Sequence, residues 1–244
     1  MRYFIEFSYN GKNYFGFQIQ PNQPSVQQTL SEALSLILKH DILIYGAGRT
    51  DSGVHATQMF AHFDFPENIE NDKIIHKLNG FLPKDIVVYR FILLHDDAHA
   101  RFDAKARTYE YHIHQYKDAF IGDSSYYSPR KLDIAKMNKA AALLYNYTDF
   151  ECFSKTNTDV NTFNCTITKA IWEQKNDRFC FTITADRFLR NMVRAIVGTL
   201  ISVGNGKIDT TDFIKIIESK NRANAGFSVP AQGLFLTKIE YEYL

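Results

Sequence analysis

Apolar and polar residues alternate along residues 3–8, and this period of two predicts a first β-strand that ends at the turn dipeptide Asn10-Gly11. Ser25 and Gln28 then have the spacing of a capping box, which marks the start of a helix. Apolar residues recur on one face of that helix as far as about residue 40. The chain therefore begins with a strand followed by an amphipathic helix.

Four further elements complete a first group of six. The pattern predicts strands at residues 42–45, 59–65 and 86–94, and a helix at residues 72–78. The resulting order is strand, helix, strand, strand, helix, strand. This order is typical of the ferredoxin-like fold, which RNA-recognition sheets also use.

A similar order is expected in the rest of the chain. The pattern predicts strands at residues 107–115, 168–174, 179–185 and 234–243, and helices at residues 133–145, 188–203 and 209–219. We therefore predict an α+β fold with two ferredoxin-like, RRM-like halves, residues 1–100 and 101–244, whose antiparallel sheets lie side by side and form a central cleft. The duplication is inferred from element order alone, because no residue-level repeat relates the halves.

Composition excludes several classes of protein. With 45% hydrophobic and 23% charged residues, the 244-residue chain is typical of globular proteins. Its three cysteines include no C-x-x-C pair, so a disulfide framework and a four-thiolate zinc site both lack ligands, and a reducing, cytoplasmic setting is expected. No apolar run approaches the roughly 20 residues that cross a bilayer, and the N-terminal residues alternate, so neither membrane insertion nor secretion is expected.

The charges are distributed unevenly, although the net charge is only +1. Residues 1–100 contain 8 basic and 11 acidic side chains, whereas residues 101–244 contain 20 and 16. A polyanion would therefore favour the second half.

The most unusual segment is the loop GAGRTDSGVHA at residues 46–56, which has three glycines within eight residues. It lacks the third glycine of a dinucleotide-binding fingerprint and the Gly-Lys-Ser/Thr of a phosphate-binding loop. It does place a carboxylate, Asp51, near a cation, Arg49, a hydroxyl, Thr50, and an imidazole, His55, which is a composition suited to a nucleophile site. By composition alone, the loop is as compatible with a structural role as with a functional one.

This loop resembles the signature G-R-T-D-x-G-V-H-A of the tRNA pseudouridine synthase A (TruA) family. Further matches follow in family order: YFGFQ at residues 14–18 with Gln20, HARFDA at 99–104, RTYEY at 107–111, FLRNMVR at 188–194 and GLFL at 233–236. Together they extend over nearly the whole chain. Two departures are visible: Phe17 replaces the usual Trp, and Ser52 replaces the usual Ala.

The resemblance implies that the protein isomerises uridine to pseudouridine at positions 38–40 of the tRNA anticodon stem-loop. Asp51 would be the catalytic residue, and it would have to be ionised. No redox change or group carrier is involved, so the reaction needs no cofactor and no metal. The resemblance also implies a homodimer.

Four residues are candidates for substrate binding. By resemblance, Tyr109 stacks on the target base, for which core packing is the alternative. Arg194 would hold the Asp51 carboxylate; Arg187, Arg190 and Arg194 also have the spacing of one cationic stripe on a helix, which could instead be a solvated basic face. Leu234 or Leu236 could close the pocket. Arg49 could fill the gap left by an extruded base, or could form a structural ion pair.

The histidines give weaker signals. His55 could position the Asp51 loop through a backbone hydrogen bond. His112 and His114 share a strand face at metal-compatible spacing, but no third ligand is apparent from the sequence, so a half-exposed sheet surface is expected there.

Two other functions fit parts of the pattern. A noncatalytic RNA-binding module with tandem RRM-like sheets would use the basic second half, but it would gain little from a carboxylate that faces a polyanion. Glycoside hydrolysis would require a second carboxylate near Asp51, and none is evident.

Overall fold

The computed structural model describes residues 1–156 and 160–244 and confirms the mixed α+β class. Within the described residues the strands are β1 (Arg2–Tyr9), β2 (Tyr45–Gly46), β3 (His55–Asp64), β4 (Ile86–Leu94), β5 (Ala106–His114), β6 (Tyr126–Tyr127), β7 (Ile167–Lys175), β8 (Arg178–Ala185) and β9 (Leu234–Glu240). The α-helices are α1 (Val26–Leu38), α2 (Asn71–Phe81), α3 (Ile134–Leu143), α4 (Met192–Gly204) and α5 (Thr210–Glu218). No helix in these ranges has both the length and the apolar character needed to cross a bilayer.

The chain forms two compact units. The first contains Met1–Lys105 together with Phe235–Leu244, and the second contains Ala106–Leu234. The last strand thus belongs almost entirely to the first unit, whereas the predicted division at residue 100 placed it in the second half. Its pairing explains the difference, because Phe235 lies opposite His55 in the parallel ladder between β3 and β9.

The first unit is built around β1, which pairs antiparallel with both β3 and β4. Phe4, Ile5 and Phe7 on this strand are fully buried. Helix α1 begins after Ser25, whose hydroxyl accepts a hydrogen bond from the Gln28 N–H at 3.3 Å. The predicted capping box is confirmed only in this half, because the Gln28 side chain donates to Glu32 instead. These elements place β3, and the loop that precedes it, on a well-packed support.

The second predicted strand is largely wrong. Residues 42–44 are not in a strand, and only Tyr45–Gly46 pair with β3. The backbone of Ile42 instead bonds with the Ser35 hydroxyl, and the Ile44 N–H donates to the Ser31 hydroxyl. Side chains of α1 therefore take the backbone groups that a longer strand would have paired.

In the second unit, β8 lies between β5 and β7 and pairs antiparallel with both. Tyr111, Phe181 and Trp172 form one row across these strands, all three are buried, and the Trp172 and Phe181 ring centroids lie 5.0 Å apart. This row forms part of the core of the unit.

The long helix starts later than its sequence pattern predicts. It begins at Met192, because Asn191 has a left-handed backbone with φ of 66°. Arg187 and Arg190 lie before the helix and only Arg194 lies on it, so the predicted stripe of three arginines on one helix is wrong.

Candidate active site

The loop that carries Asp51 is attached to β3 at both ends. Gly46 pairs with Ala61 of β3, and the Ala47 N–H donates to the Phe60 carbonyl oxygen at 2.8 Å. At its other end the loop runs directly into β3. The position of the loop is therefore determined by a strand that pairs on both sides with other strands of its unit.

A second chain segment supports the middle of the loop. The carbonyl oxygen of Tyr14 accepts hydrogen bonds from the Gly53 N–H and the Ser52 hydroxyl, each at 3.3 Å. The Phe17 N–H donates to the Thr50 carbonyl oxygen, also at 3.3 Å. These bonds fix the backbone on either side of residue 51. The segments 14–18 and 46–56, which are separate in the sequence, thus form one local structure.

The polar side chains next to Asp51 serve to position the loop. Thr50 is buried, and its hydroxyl lies 2.8 Å from that of Tyr9. His55 accepts a hydrogen bond at Nδ1 from the Gly11 N–H at 3.0 Å, and its ring stacks on Phe235 at 4.6 Å between centroids. The expected backbone hydrogen bond of His55 is therefore confirmed.

The two charged side chains of the loop differ in exposure. Arg49 is exposed, whereas Asp51 is half-buried. A half-buried carboxylate has lost part of its hydration yet remains open to a ligand.

Tyr14 has a role that the sequence alone does not reveal. Its hydroxyl donates to Asp85 Oδ1 at 2.6 Å, and Asn13 Nδ2 donates to Oδ2 of the same carboxylate at 3.0 Å. Burial, together with the neighbouring Asp85 charge, raises the pKa of Tyr14 well above its usual range. The hydroxyl therefore stays protonated and anchors the segment that supports the Asp51 loop.

In the second unit, Tyr109 lies on β5 on the same face as Tyr111 and Ile113. The last two are fully buried, but Tyr109 is half-buried and meets the Phe188 ring edge-on, with 5.2 Å between centroids. The alternation predicted for this strand is confirmed at these positions. Tyr109 thus packs against the Phe188 ring and keeps part of its surface open.

Arg194 is held in place by the segment that precedes β9. Its Nε donates to the Val229 carbonyl oxygen at 2.7 Å, and the Val229 N–H donates to the Arg194 carbonyl oxygen at 3.2 Å. Tyr111 donates its hydroxyl to the adjacent Pro230 carbonyl oxygen at 2.9 Å. Burial raises the pKa of Tyr111, and the positive charge of Arg194 offsets part of this increase. The two side chains therefore interact electrostatically.

Leu234 is buried at the end of the same segment. It follows Gly233, where a β-carbon would lie 2.8 Å from Tyr111 Cζ, so the backbone passes directly over the tyrosine ring. Of the five predicted site residues, Arg49 and Asp51 belong to the first unit, while Tyr109, Arg194 and Leu234 belong to the second.

Comparison with known proteins identifies the family to which the chain belongs. The profile of the family described as tRNA pseudouridine synthase matches residues 6–103 and 140–242. The chain belongs to this tRNA pseudouridine synthase family. The resemblance found in the sequence is thereby confirmed.

Curated relatives that match nearly the whole chain are named tRNA pseudouridine synthase A. A protein named tRNA pseudouridine synthase A from Porphyromonas gingivalis is 52% identical over 244 residues, which is 98% of this chain and 97% of the relative. One of the same name from Bacteroides fragilis is 52% identical over 242 residues, or 98% and 96% of the two chains. Another from Staphylococcus aureus strain Newman is 38% identical over 241 residues, or 98% and 90%.

The family match includes most of the predicted site residues of this pseudouridine synthase. Arg49, Asp51, Arg194 and Leu234 fall within the two matched ranges, whereas Tyr109 lies between them. The assignment of Tyr109 therefore depends on the local motif and on the half-buried ring.

His112 and His114, the histidine pair predicted on β5, lie in different environments. His114 is buried, with its Nδ1 2.9 Å from the Ser125 hydroxyl and its ring stacked on Tyr127. The predicted half-exposed surface is wrong at this position, because β6 covers it. His112 instead faces Glu110, with Nε2 3.3 Å from Oε2.

Glu110 has a second cationic partner. Lys175 Nζ lies 2.9 Å from Glu110 Oε1. The hydrogen bonds from His112 and Lys175 lower the pKa of Glu110 to about 2. The outer face of β5 therefore carries an ionised carboxylate that sequence reasoning did not single out.

Proposed function

We propose that this pseudouridine synthase isomerises uridines at positions 38–40 of the tRNA anticodon stem-loop, with Asp51 as its catalytic carboxylate. Family membership makes the protein an isomerase that acts on tRNA uridines. The observation that carries the finer assignment is the Asp51 loop. Its sequence matches the family signature, and hydrogen bonds to Tyr14 and Phe17 hold the backbone on either side of the half-buried Asp51.

The chemistry explains why a single carboxylate is sufficient. The bond between C1′ of the ribose and N1 of uracil breaks, and a bond between C1′ and C5 forms. C5 releases its proton to solvent and N1 gains one, so substrate and product are isomers. Covalent participation of an ionised carboxylate divides this exchange into two easier steps. Asp51 would act in each of three alternative routes: attack on C1′, attack on the base, or formation of a glycal.

Three residues of the second unit are proposed to bind the substrate. We assign Tyr109 to stacking on the flipped base, because its ring is only half-buried. We assign Arg194 as the ionic partner of the Asp51 carboxylate, because the hydrogen bond from Nε to the Val229 carbonyl oxygen holds the guanidinium in place. Leu234 would supply an apolar wall. These roles, and the arrangement of two ferredoxin-like halves around a central cleft, stay predictions.

Arg49 is proposed to fill the gap that the extruded base leaves. Its side chain is exposed and can reach a ligand. Positions 39 and 40 lie in a paired stem and must be unstacked, which costs a few kcal/mol. Arg49→Ala should therefore reduce turnover more at positions 39 and 40 than at position 38. Equal losses at all three positions would contradict this role.

Two further properties belong to the proposal. The homodimer implied by the resemblance is tested by light scattering of the purified protein, where a monomer at micromolar concentration would contradict it.

A cytoplasmic location is consistent with Cys152, Cys165 and Cys180, which are all buried as free thiols.

Tritium release from tRNA that carries 5-tritiated uridine tests the catalytic role. Asp51→Asn and Asp51→Ala should each lower release by at least about 10⁴-fold while tRNA binding persists. Asp41→Asn, at an exposed aspartate of the same unit, is the matched control and should retain activity. Unchanged release by both Asp51 variants would refute the assignment.

A further inference from the structure

The outer face of β5 carries a second cluster of chemically active side chains. Glu110 and His112 are two residues apart on one strand, so both point to the face opposite Tyr109. Cys180 is the direct partner of His112 in the antiparallel ladder between β5 and β8. The ligand atoms of these three residues all lie within 4.8 Å of one another. In residues 1–156 and 160–244 this is the one group of three or more such side chains that could hold a metal ion.

We infer that Glu110, His112 and Cys180 form a binding site for a divalent transition-metal ion, with Zn²⁺ as the best match. The set offers one carboxylate oxygen, one imidazole nitrogen and one sulfur, which are the ligand types that zinc prefers. Magnesium and calcium require oxygen ligands, so a thiol and an imidazole disfavour both. Three protein ligands leave a fourth position of a tetrahedral site open to water.

The two strands bring the ligands together before any ion binds. Strand β8 pairs on both sides, with β5 and with β7, so its backbone cannot shift without breaking two ladders. Cys180 is buried, and His112 and Glu110 are each half-buried. Ligands on paired strands need only side-chain rotation to converge, which keeps the cost of forming the site low.

Lys175 would affect both the orientation of the Glu110 carboxylate and the affinity of the site for a cation. Its ammonium contacts Glu110 Oε1 at 2.9 Å, and Glu110 Oε2 faces His112 Nε2 at 3.3 Å. An ion that replaces the contact between Glu110 and His112 would leave Oε1 bonded to Lys175. Lys175 would then orient the carboxylate from the outer shell, but its positive charge would also oppose the bound cation.

A competing interpretation treats the cluster as a structural ion pair. In that case Lys175 is the resident cation, and the side chains of His112 and Cys180 each add a hydrogen bond to Glu110, which a serine hydroxyl at position 180 could also supply. The two interpretations differ in one respect, because only a metal site needs the sulfur atom. Cys165 provides the matched control, since it is another buried free thiol of the same unit.

The test uses the full-length protein after EDTA treatment and removal of the chelator. Zn²⁺ binding is measured by equilibrium dialysis, and Co²⁺ is added separately as a spectroscopic probe of thiolate ligation. Wild type and Cys165→Ser should each bind one ion per chain and show the sulfur-to-cobalt charge-transfer band. Cys180→Ser and His112→Gln should lose at least about 100-fold in affinity, more than the 10- to 100-fold that loss of an outer-shell partner typically costs. Circular dichroism checks that each variant is folded.

Lys175→Met keeps the test decisive if Cys180→Ser proves unstable. Removing the ammonium abolishes its charge repulsion with the bound cation, so Zn²⁺ should bind more tightly while the charge-transfer band is retained. Absence of binding by wild type, or equal binding by wild type and Cys180→Ser, would overturn the inference. So would a charge-transfer band that disappears in Cys165→Ser but not in Cys180→Ser.

Discussion

Gly16 packs directly against the carbonyl oxygen of Thr50, the residue before Asp51. A β-carbon at position 16 would lie 2.5 Å from that oxygen, and Gly16 has a φ of +100°. Only glycine adopts this backbone easily, and no side chain fits the space. The contact therefore sets the position of the backbone that carries Asp51.

Gly16→Ala should destabilise the protein by about 2–3 kcal/mol, because a left-handed backbone and a steric clash are both imposed at a fixed support. Urea unfolding measures the change. Gly48→Ala in the same loop is the control, since a β-carbon there has no atom within 4 Å, and its free energy of unfolding should change little. Equal effects of the two substitutions would contradict the proposed support.

Tyr14→Phe should lower the free energy of unfolding by about 1.5–3 kcal/mol. The substitution removes a 2.6 Å hydrogen bond to the Asp85 carboxylate, and bonds to charged groups have net values of this size. Tyr89→Phe removes a 2.6 Å contact with the Ser8 hydroxyl at the surface and is the control, with an expected loss below about 1 kcal/mol. Similar losses in urea unfolding would show that Tyr14 is not an anchor.

Local signals in the sequence are sufficient to predict much of the secondary structure. The sequence predicts the β7–β8 hairpin to within one residue at each strand end, because Lys175-Asn176-Asp177 is a clear turn signal and Asn176 takes a left-handed backbone with φ of 55°. The start of α1 was equally clear from Ser25. Such features depend on neighbours within a few residues, which a single sequence displays.

Other features depend on contacts between distant parts of the chain. The carbonyl oxygen of Tyr14 bonds with Ser52 and Gly53, and no pattern within either segment reveals the other. His112 meets Cys180 only because of the register between β5 and β8. For the same reason, the sequence identifies Asp51 by its motif and His55 as a residue that positions its loop, but it does not reveal the support from Tyr14 and Phe17.

Arg194→Lys should lower turnover by about 10²-fold or more while leaving tRNA affinity nearly unchanged. Lysine keeps the charge but cannot reproduce the fixed fork or the 2.7 Å bond to Val229. Arg190→Lys, at an exposed arginine just before α4, is the control and should retain turnover. Tritium release and filter binding separate the two effects. An equal loss of tRNA binding would make Arg194 a phosphate contact instead.

A double-mutant cycle extends this test to the proposed pairing with Asp51. If both residues serve one step, the Asp51→Asn and Arg194→Lys losses in turnover should not add, because the second substitution removes a function that is already lost. Strict additivity of the two losses would show that the residues act independently.

His62 should make the protein less stable as the pH falls from 6.5 towards 4. Burial, with the nearby charges of His99 and Arg2, lowers the pKa of His62 to about 4, and its Nδ1 accepts the Ala100 N–H at 3.2 Å. An unfolded histidine titrates near 6.5, so between these values the unfolded chain binds more protons and the free energy of unfolding falls. After allowance for screening by water, the loss is about 2 kcal/mol.

The measurement compares unfolding free energies at pH 6.5 and 4.5 in wild type and His62→Gln. Glutamine can still accept the Ala100 N–H but does not titrate, so the variant should lose less stability over this interval than wild type does. His76→Gln, at an exposed histidine on α2, should retain the wild-type difference. Hydrogen-bond partners lower the carboxyl pKa values of Asp64 and Asp103, so these groups lose stability mainly below the unfolded aspartate pKa of about 3.9, and staying at or above pH 4.5 limits their contribution. Identical pH dependence in wild type and His62→Gln would show that His62 is not the group responsible.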